Sequence, residues 1–330
     1  MTTSQAAANR KYDVVTFGET MLRLSAAGFS RLEEATALEV RIGGSESNTA
    51  VALARLGMRV AWWSKLPANP MGRRIENEIR RWGVDTRHVI WDRSPDSRAG
   101  LYFLDFGHPP RATDVYYDRA ASSASRLTAI ELESSPISEA RLLHLTGITP
   151  ALSPYTLKAV SSAIDIARSS GAAVSFDINY RSKLWSPAKA REALEPLLSA
   201  VDLLMCPISD AATIFAISGD GAAVAREFRE RYGVGSAVVT LSGGGALACS
   251  SKEEVETSPH HLPQIVDRVG AGDAFNAGMI MGFLDSNLKR GLQYGTAMAA
   301  LKHTMPGDLL ISTRQEIDAA VAGTGSGISR

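Results

Sequence analysis

Short strand-like runs alternate with longer helical patterns along this chain, and few folds accommodate that alternation. Runs rich in β-branched residues occur at YDVVTFG, RVAWWSKL, AAVSFDIN, VDLLMC and SAVVTLS, and each has the composition of a buried strand. Helical patterns occur at SESNTAVALARLG, MGRRIENEIRRWG, SPYTLKAVSSAIDIARSSG and PAKAREALEPLLSA. Strands that alternate with crossover helices favour a parallel sheet covered on both faces. The sequence therefore predicts a doubly wound, mostly parallel α/β fold.

Two segments interrupt this pattern, at about residues 23–42 and 98–121. Both alternate polar and apolar residues without a helical period, which is typical of strands with one exposed face. We expect them to form the antiparallel strands of a small inserted sheet. A single domain is predicted over residues 12–320, and the small polar residues at 1–11 and 321–330 predict flexible tails.

Composition narrows the class of ligand. Among 330 residues, 35 basic side chains balance 35 acidic ones, so the formal net charge is zero. This balance argues against nucleic acid and anionic membrane as partners and leaves small anions as ligands. Two cysteines, no signal-peptide pattern and no apolar run long enough for a membrane span predict a soluble cytoplasmic protein.

The sequence DRVGAGDAFNAGMIMGFL combines a glycine-rich turn with an apolar helix. We call Gly270, Ala271 and Gly272 the anion turn, because their backbone N–H groups would point outward at a helix start. Asp273 follows in the first helical turn, where it could accept a proton from a hydroxyl that attacks a bound phosphate. Taken alone, the same residues fit a glycine turn closed by an aspartate cap equally well. Neither a Walker-type phosphate loop nor a dinucleotide fingerprint occurs elsewhere.

A second glycine cluster, RIGGSESNTAVALARLG, also leads directly into a helical pattern. Gly43 and Gly44 would let a ligand approach the backbone, and Asn48 offers a donor and an acceptor to hydroxyl groups. An ordinary glycine hairpin before a helix capped by Ser45 or Ser47 is the alternative interpretation.

Taken together, GGSESNTAVALARLG and DRVGAGDAFNAG resemble the two signature regions of the ribokinase-like (PfkB) carbohydrate kinase family, and the resemblance extends from about Tyr12 to about Ala320. It implies a doubly wound domain with a small β-sheet lid over the sugar. Asp273 would be the catalytic base, and the anion turn would form the anion hole. ATP and Mg²⁺ would take part, a monovalent cation is a further candidate cofactor, and the chain would form a homo-oligomer through the lid.

Further segments, GLYFLDFG, VYYDRAASSAS, FDINYRSKLWS and ALKHTMPGDL, are similar to the branch of the family that phosphorylates 2-keto-3-deoxygluconate. A carboxylate is held best by a planar guanidinium, so Arg119 and Arg181 are candidates for that role. A solvated surface charge is the alternative for either arginine. The resemblance adds Tyr102, Tyr117, Asn179 and Asp308 as substrate-binding candidates, although a turn-forming role would also explain Asp308.

The nucleotide would lie beside the glycine turn of VVTLSGGGALA. His303 in ALKHTMPGDL could border the adenine, although a structural histidine is equally common. The candidate ATP-binding residues are Asn179, Arg181, Thr240, Ser242, Gly243, Gly245, Gly270, Gly272 and His303.

The chain departs from the family at one motif. Many members carry an N-x-x-E sequence that organises magnesium and water, whereas this chain has Pro207-Ile208-Ser209-Asp210 at the corresponding place. Proline cannot replace an amide side chain, so the metal-binding residues are not identified. Metal dependence is still expected, because the transferred charge must be neutralised.

These observations predict an ATP-dependent sugar-acid kinase that phosphorylates the 6-hydroxyl of 2-keto-3-deoxygluconate. One alternative is a kinase of a neutral sugar such as fructose or ribose, in which the two arginines serve other purposes. Another is a protein that binds sugar and nucleotide without turnover, which the altered N-x-x-E region would permit.

Overall fold

The computed structural model describes residues 10–241, 245–260, 262 and 264–324. Its strands are β1 Tyr12–Phe17, β2 Met21–Ser25, β3 Glu39–Gly43, β4 Val60–Trp63, β5 Lys65–Pro67, β6 Ile90–Asp92, β7 Leu101–Asp105, β8 Asp114–Asp118, β9 Ala140–Thr146, β10 Ala173–Asp177, β11 Leu203–Pro207, β12 Ser236–Leu241, β13 Gly245–Cys249 and β14 Glu254–Thr257. Its helices are α1 Ser45–Arg55, α2 Pro70–Arg80, α3 Ile148–Ala151, α4 Pro154–Ser170, α5 Pro187–Leu194, α6 Ile208–Phe215, α7 Gly221–Tyr232, α8 Ala271–Leu284, α9 Leu288–His303 and α10 Arg314–Val321. Short 3₁₀ helices span Leu32–Glu34, Ala124–Arg126, Ala129–Leu132, Ile137–Glu139 and Glu195–Ala200.

The central sheet has eight strands in the order β14-β13-β12-β11-β10-β9-β1-β4. All neighbours pair in parallel from β12 to β4, whereas β13 and β14 are antiparallel additions at one edge. The predicted doubly wound, mostly parallel architecture is confirmed. Strand β9 was not among the predicted strands, although its sequence ARLLHLT is largely apolar.

Two hydrophobic clusters lie on opposite faces of the central sheet, because alternate strand residues point to opposite sides. Val15 and Phe17 of β1 pack in the cluster that helices α4 to α7 cover. Val14 of the same strand packs in the cluster that α1, α2, α8 and α9 cover. Both faces of the sheet are therefore buried, which explains why the sequences of these strands are continuous apolar runs.

Helices α8 and α9 cross at close range through glycines. A Cβ atom at Gly278 would overlap the backbone of Gly295, and one at Gly282 would overlap that of Gly291. Because α8 carries Asp273 near its start, this close packing positions the predicted catalytic carboxylate.

The smaller sheet has the order β3-β2-β7-β8 and confirms the predicted inserted sheet. Its strands come from the two predicted segments. In the first segment, β2 begins at Met21 and β3 ends at Gly43, whereas the predicted bounds were residues 23 and 42. The outer pairs are antiparallel hairpins, but β2 and β7 pair in parallel. The prediction of an all-antiparallel sheet was wrong at this central pair, because two separate hairpins lie side by side.

The structure describes residues 10–11 and 321–324 of the two predicted tails. Arg10 donates from Nη1 to the carbonyl oxygens of Ser138 and Ala140, at 3.1 and 2.7 Å. Val321 ends α10, and the Thr324 N–H donates to the Ala319 carbonyl oxygen at 3.0 Å. Residues 1–9 and 325–330 lie outside the described part of the chain. No described helix has the length and hydropathy that a membrane span requires.

Candidate active site

The candidate site lies where the carboxyl ends of the central strands meet. Glu19 follows β1, Asn179 and Arg181 follow β10, and Asp210 follows β11. Loops at this edge of a doubly wound sheet commonly form the ligand site. The small sheet covers the same edge and contributes Tyr102 of β7.

Asp273 is the third residue of α8, and two donors orient its carboxylate. Ser45 Oγ donates to Oδ1 at 2.5 Å, and Asn48 Nδ2 donates to Oδ2 at 2.7 Å. Burial raises the pKa of Asp273, and the two hydrogen bonds oppose that effect. Ser45 therefore orients Asp273 and does not cap α1, whose N-cap is Gly44. Ser47 also differs from the capping prediction, because its hydroxyl donates to the Gly44 carbonyl oxygen.

The anion turn precedes Asp273 as predicted. Gly270 has a φ of 85°, which L side chains rarely adopt, and a Cβ there would overlap the Asp308 carbonyl oxygen. The N–H groups of Gly270 and Gly272 have no acceptor among the described residues, so both can bind an anion. The Ala271 N–H instead contacts the Arg268 carbonyl oxygen at 3.4 Å. Two of the three predicted donors are thus available.

A cavity of about 500 Å³ lies between the two sheets beside Asp273. It is lined by every residue predicted to bind the substrate: Gly43, Gly44, Asn48, Tyr102, Tyr117, Arg119, Asn179, Arg181 and Asp308. Gly270 and Gly272 also line it. We call it the sugar cavity. Its residues come from both halves of the chain, and the fold alone brings them together.

A second cavity of about 580 Å³ lies on the other side of the anion turn. Four of the residues predicted to bind ATP line it, namely Thr240, Gly245, Gly272 and His303. The structure places three others, Asn179, Arg181 and Gly270, at the sugar cavity and not at this one. Burial lowers the pKa of His303, which favours its uncharged ring at this position. We call it the nucleotide cavity. Ser242 and Gly243, also predicted here, lie outside the described residues.

Gly272 and Arg268 line both cavities. Arg268 is exposed and was missed by the sequence analysis, although it lies within DRVGAGD. A guanidinium between two ligand cavities can neutralise a group that passes from one to the other.

Arg119 is already paired within the sugar cavity. Its Nε donates to Oε2 of Glu19 at 2.7 Å, and its Nη2 forms an ion pair with the same oxygen at 2.5 Å. Glu19 is buried, and its Oε1 has no partner among the described residues. The guanidinium edge that would grip a substrate carboxylate is therefore occupied. Glu19 was missed because a lone glutamate after a strand carries no motif.

Arg181 presents a different environment. Its side chain is exposed at the cavity rim, and it forms no ion pair with any residue in the described ranges. It follows Asn179, whose φ of 43° turns the chain sharply after β10. Its Nη1 donates to the Tyr180 carbonyl oxygen at 3.0 Å, but no carboxylate of the described residues pairs with it. Of the two predicted arginines, Arg181 is thus the one whose charge is available to a ligand.

Asp308 belongs to a buried ionic cluster. Arg23 Nη1 donates to its Oδ1 at 2.7 Å, and the Tyr102 hydroxyl donates to its Oδ2 at 2.7 Å. Arg23 also donates from Nη2 to Asp267 at 2.6 Å. Tyr102 and Arg23 lie on the small sheet, so this cluster joins that sheet to the loops beside the anion turn. Sequence reasoning missed Arg23 and Asp267, because their side-chain partners are far apart along the chain.

Other carboxyl groups near the site were also missed. Burial raises the pKa of Asp177 to about 7, although Asn276 donates to its Oδ2 at 2.7 Å. Burial likewise raises the pKa of Glu46 to about 7, despite hydrogen bonds from Thr146 and Thr149. Asp177 ends an apolar strand, and Glu46 lies in the first turn of a helix. The neighbouring residues in the sequence do not show that either carboxyl group is buried.

The altered N-x-x-E segment also lies at the site. Pro207 precedes α6, and Asp210 lines the sugar cavity with its Oδ2 accepting the Tyr180 N–H at 3.1 Å. Burial raises the pKa of Asp210. No cluster of three or more metal-ligating side chains occurs within the described ranges. Asp177 and Asp210 provide the hard oxygen ligands that suit Mg²⁺ through its waters.

Two cavities that share an anion turn, with a carboxylate facing one of them, form an arrangement that suits phosphoryl transfer to an alcohol. The model of the pfkB family carbohydrate kinases matches residues 11–313. The chain belongs to this family.

Individual relatives agree with the family match. The chain is 40% identical over 319 residues to a 2-dehydro-3-deoxygalactonokinase of Haloferax volcanii, covering 96% of this chain and 99% of the relative. It is 32% identical to a 2-dehydro-3-deoxygluconokinase of Bacillus subtilis, with 91% and 92% coverage. The crystal structure of the 2-dehydro-3-deoxygluconokinase of Thermotoga maritima superposes with a TM-score of 0.86 at 31% identity, covering 94% of this chain and 98% of that one.

Proposed function

We propose that this chain is an ATP-dependent kinase of a sugar acid and phosphorylates the 6-hydroxyl of 2-keto-3-deoxygluconate. The observation that carries this proposal is the position of Asp273. Its oriented carboxylate lines the sugar cavity directly after the anion turn, which borders the nucleotide cavity. The named substrates of the relatives in Bacillus subtilis and Thermotoga maritima support the same sugar acid.

In this mechanism the sugar 6-hydroxyl attacks the γ-phosphorus of ATP, and the bond to the β-phosphate oxygen breaks. Asp273 accepts the hydroxyl proton, and ADP leaves with the β-phosphate oxygen. The N–H groups of Gly270 and Gly272 stabilise the negative charge on the transferring group. Ser45 and Asn48 hold the Asp273 carboxylate in place, so little reorganisation is needed when the hydroxyl arrives.

The nucleotide would bind with its base beside His303 and its phosphates near Arg268. Bound Mg²⁺ would neutralise phosphate charge. Asp177 and Asp210 would hold its waters, in place of the side chains of the N-x-x-E motif.

We assign the substrate carboxylate to Arg181. Its guanidinium is free of ion pairs in the described structure, whereas the Arg119 fork is bound to Glu19. Arg119 would then use its remaining Nη1 atom, while Glu19 Oε1 accepts a sugar hydroxyl. The ion pair between Arg119 and Glu19 also favours the alternative of a neutral-sugar kinase, because Glu19 neutralises the charge of Arg119.

A coupled assay of ADP release decides between these substrates. The panel contains 2-keto-3-deoxygluconate, its galacto epimer, fructose and ribose. We expect the keto acids to be used with much higher kcat/KM than the neutral sugars, and the product to carry phosphate at the 6-position by phosphorus NMR. Preference for fructose or ribose would favour the neutral-sugar kinase, and ADP release without sugar phosphorylation would contradict both kinases.

The proposal includes a homo-oligomer that forms through the small sheet, and a cytoplasmic location. Tyr116 on β8 is 54% exposed, which leaves a large aromatic side chain on the outer part of this sheet. Cys206 and Cys249 are buried free thiols, which suits a reducing compartment.

A further inference from the structure

Lys302 lies in the last turn of α9, and its side chain is fully buried at 0% exposure. Its Nζ donates to the carbonyl oxygen of Met305 at 3.0 Å and contacts that of Asp267 at 3.4 Å. A buried ammonium is costly unless polar atoms replace its hydration. The carboxyl end of a helix also favours a cation. Lys302 lines neither the sugar cavity nor the nucleotide cavity, so it does not act on a substrate directly.

The two carbonyl groups belong to different loops. The Asp267 loop leads directly into the anion turn, and the Val266 N–H anchors it to the His303 carbonyl oxygen at 2.7 Å. The Met305 loop continues to Asp308, whose backbone lies against Gly270. Lys302 therefore joins the two loops that lie on either side of the anion turn.

Side chains strengthen the same junction. The Asp267 carboxylate accepts the N–H groups of Val269 and Gly307, each at 3.0 Å. Burial lowers the pKa of Lys302, and the nearby carboxylates of Asp267 and Asp308 oppose that effect. The arrangement of carbonyl oxygens with nearby carboxylates is one that attracts a cation, and the chain supplies that cation itself.

We propose that the Lys302 ammonium is a built-in cation that clamps these two loops and positions the N–H groups of the anion turn for phosphoryl transfer. Lys302 is a positioning residue, and no added monovalent cation is needed at this place. The activity readouts below rest on the proposed kinase function, whereas the stability readout does not.

The unaltered enzyme provides the first test. We expect KCl, NH₄Cl and tetramethylammonium chloride to change kcat equally at constant ionic strength, because the cation position is filled. Selective activation by K⁺ or NH₄⁺ would overturn the proposal. This test needs no variant, so it decides even where a substitution prevents folding.

Variants provide the second test. Lys302→Ala removes the cation and leaves space, Lys302→Met removes the charge but fills the space, and Lys289→Ala changes an exposed lysine of the same helix. We expect kcat to fall about 10²-fold in the first two, as for misplaced catalytic groups, with a smaller change in KM for the sugar. Ammonium should restore kcat in Lys302→Ala only, and tetramethylammonium should not. Lys289→Ala should behave as the unaltered enzyme.

Thermal unfolding separates this proposal from the kinase function. Ammonium should raise the Tm of Lys302→Ala above the effect of equal tetramethylammonium, since a cation that binds only the folded state stabilises it. It should not do so for the unaltered protein or Lys302→Met. A folded Lys302→Ala variant that keeps its kcat, or that gains neither activity nor Tm from ammonium, would overturn the role of Lys302 whether or not a sugar acid is the substrate.

Discussion

At the scale of single residues, Asp273 shows how a carboxylate is prepared for proton transfer. Its two oxygens each accept a hydrogen bond from α1, at 2.5 Å from Ser45 and 2.7 Å from Asn48. Each oxygen retains a lone pair, so a sugar hydroxyl can still donate to the carboxylate.

Replacing Asp273 with Asn should lower kcat by roughly 10² to 10⁴, the usual contribution of a positioned base. The amide keeps the shape but cannot accept the hydroxyl proton. Steady-state kinetics give kcat, and calorimetry with ATP checks that nucleotide binding is largely retained. A variant with near-normal kcat would show that Asp273 is not the base.

The pH dependence of kcat/KM should report the same carboxylate. Burial raises the pKa of Asp273, and the Ser45 hydrogen bond lowers it. Asp273 is active when deprotonated, so activity should fall as the pH drops through its pKa. Ser45→Ala removes a donor to the charged form and should move this acidic limb to higher pH. A limb that stays in place or moves to lower pH would contradict the assignment.

Arg181→Lys should weaken binding of the keto acid, because lysine keeps the charge but loses the planar fork. A charge-assisted hydrogen bond contributes about 1.5 to 3 kcal/mol, which predicts a KM increase of roughly 10 to 150-fold. The KM for ATP should change less. Residual activity on fructose is the internal control, and an equal loss for fructose would contradict the carboxylate role.

At the scale of elements, buried polar contacts join the four-stranded sheet to the loops beside the anion turn. Arg23 of β2 and Tyr102 of β7 reach Asp308 beside the anion turn. Closure of such a sheet would exclude water, whose attack on ATP is the competing reaction.

Hydrogen exchange should therefore slow in residues 23–42 and 98–121 when the sugar acid and a non-hydrolysable ATP analogue bind. Helix α7, at Gly221–Tyr232, lies away from the sugar cavity and serves as the control. Mass spectrometry with and without ligands measures the change. Unchanged exchange in both segments would exclude a closing lid.

At the scale of the whole molecule, the small sheet also offers a surface for assembly. We expect light scattering to give a mass above the 35.2 kDa of one chain. Tyr116→Glu should lower that mass, because it places a charge on the outer strand of this sheet. Tyr155, which is 60% exposed on α4, provides the matched control as Tyr155→Glu. An oligomer that both variants retain would show that its interface lies elsewhere.

Local patterns in the chain were sufficient for the doubly wound class, the inserted sheet and the helix that begins after Gly270. Periodicity and glycine turns are properties of neighbouring residues, so they can be recognised without the fold. The first signature segment supplied Gly43, Gly44 and Asn48 as substrate-binding candidates, and the segments similar to the 2-keto-3-deoxygluconate branch supplied the rest. All of these candidates line one cavity.

Pairings between distant residues depended on the tertiary structure. Glu19 binds Arg119, Arg23 joins Asp267 to Asp308, and Lys302 is buried between two loops. Nothing in the local sequence distinguishes these charges from solvated ones, because a charged side chain is buried only where the folded chain supplies its partner. The parallel pairing of β2 with β7 has the same origin, since it joins two hairpins that only the fold brings side by side.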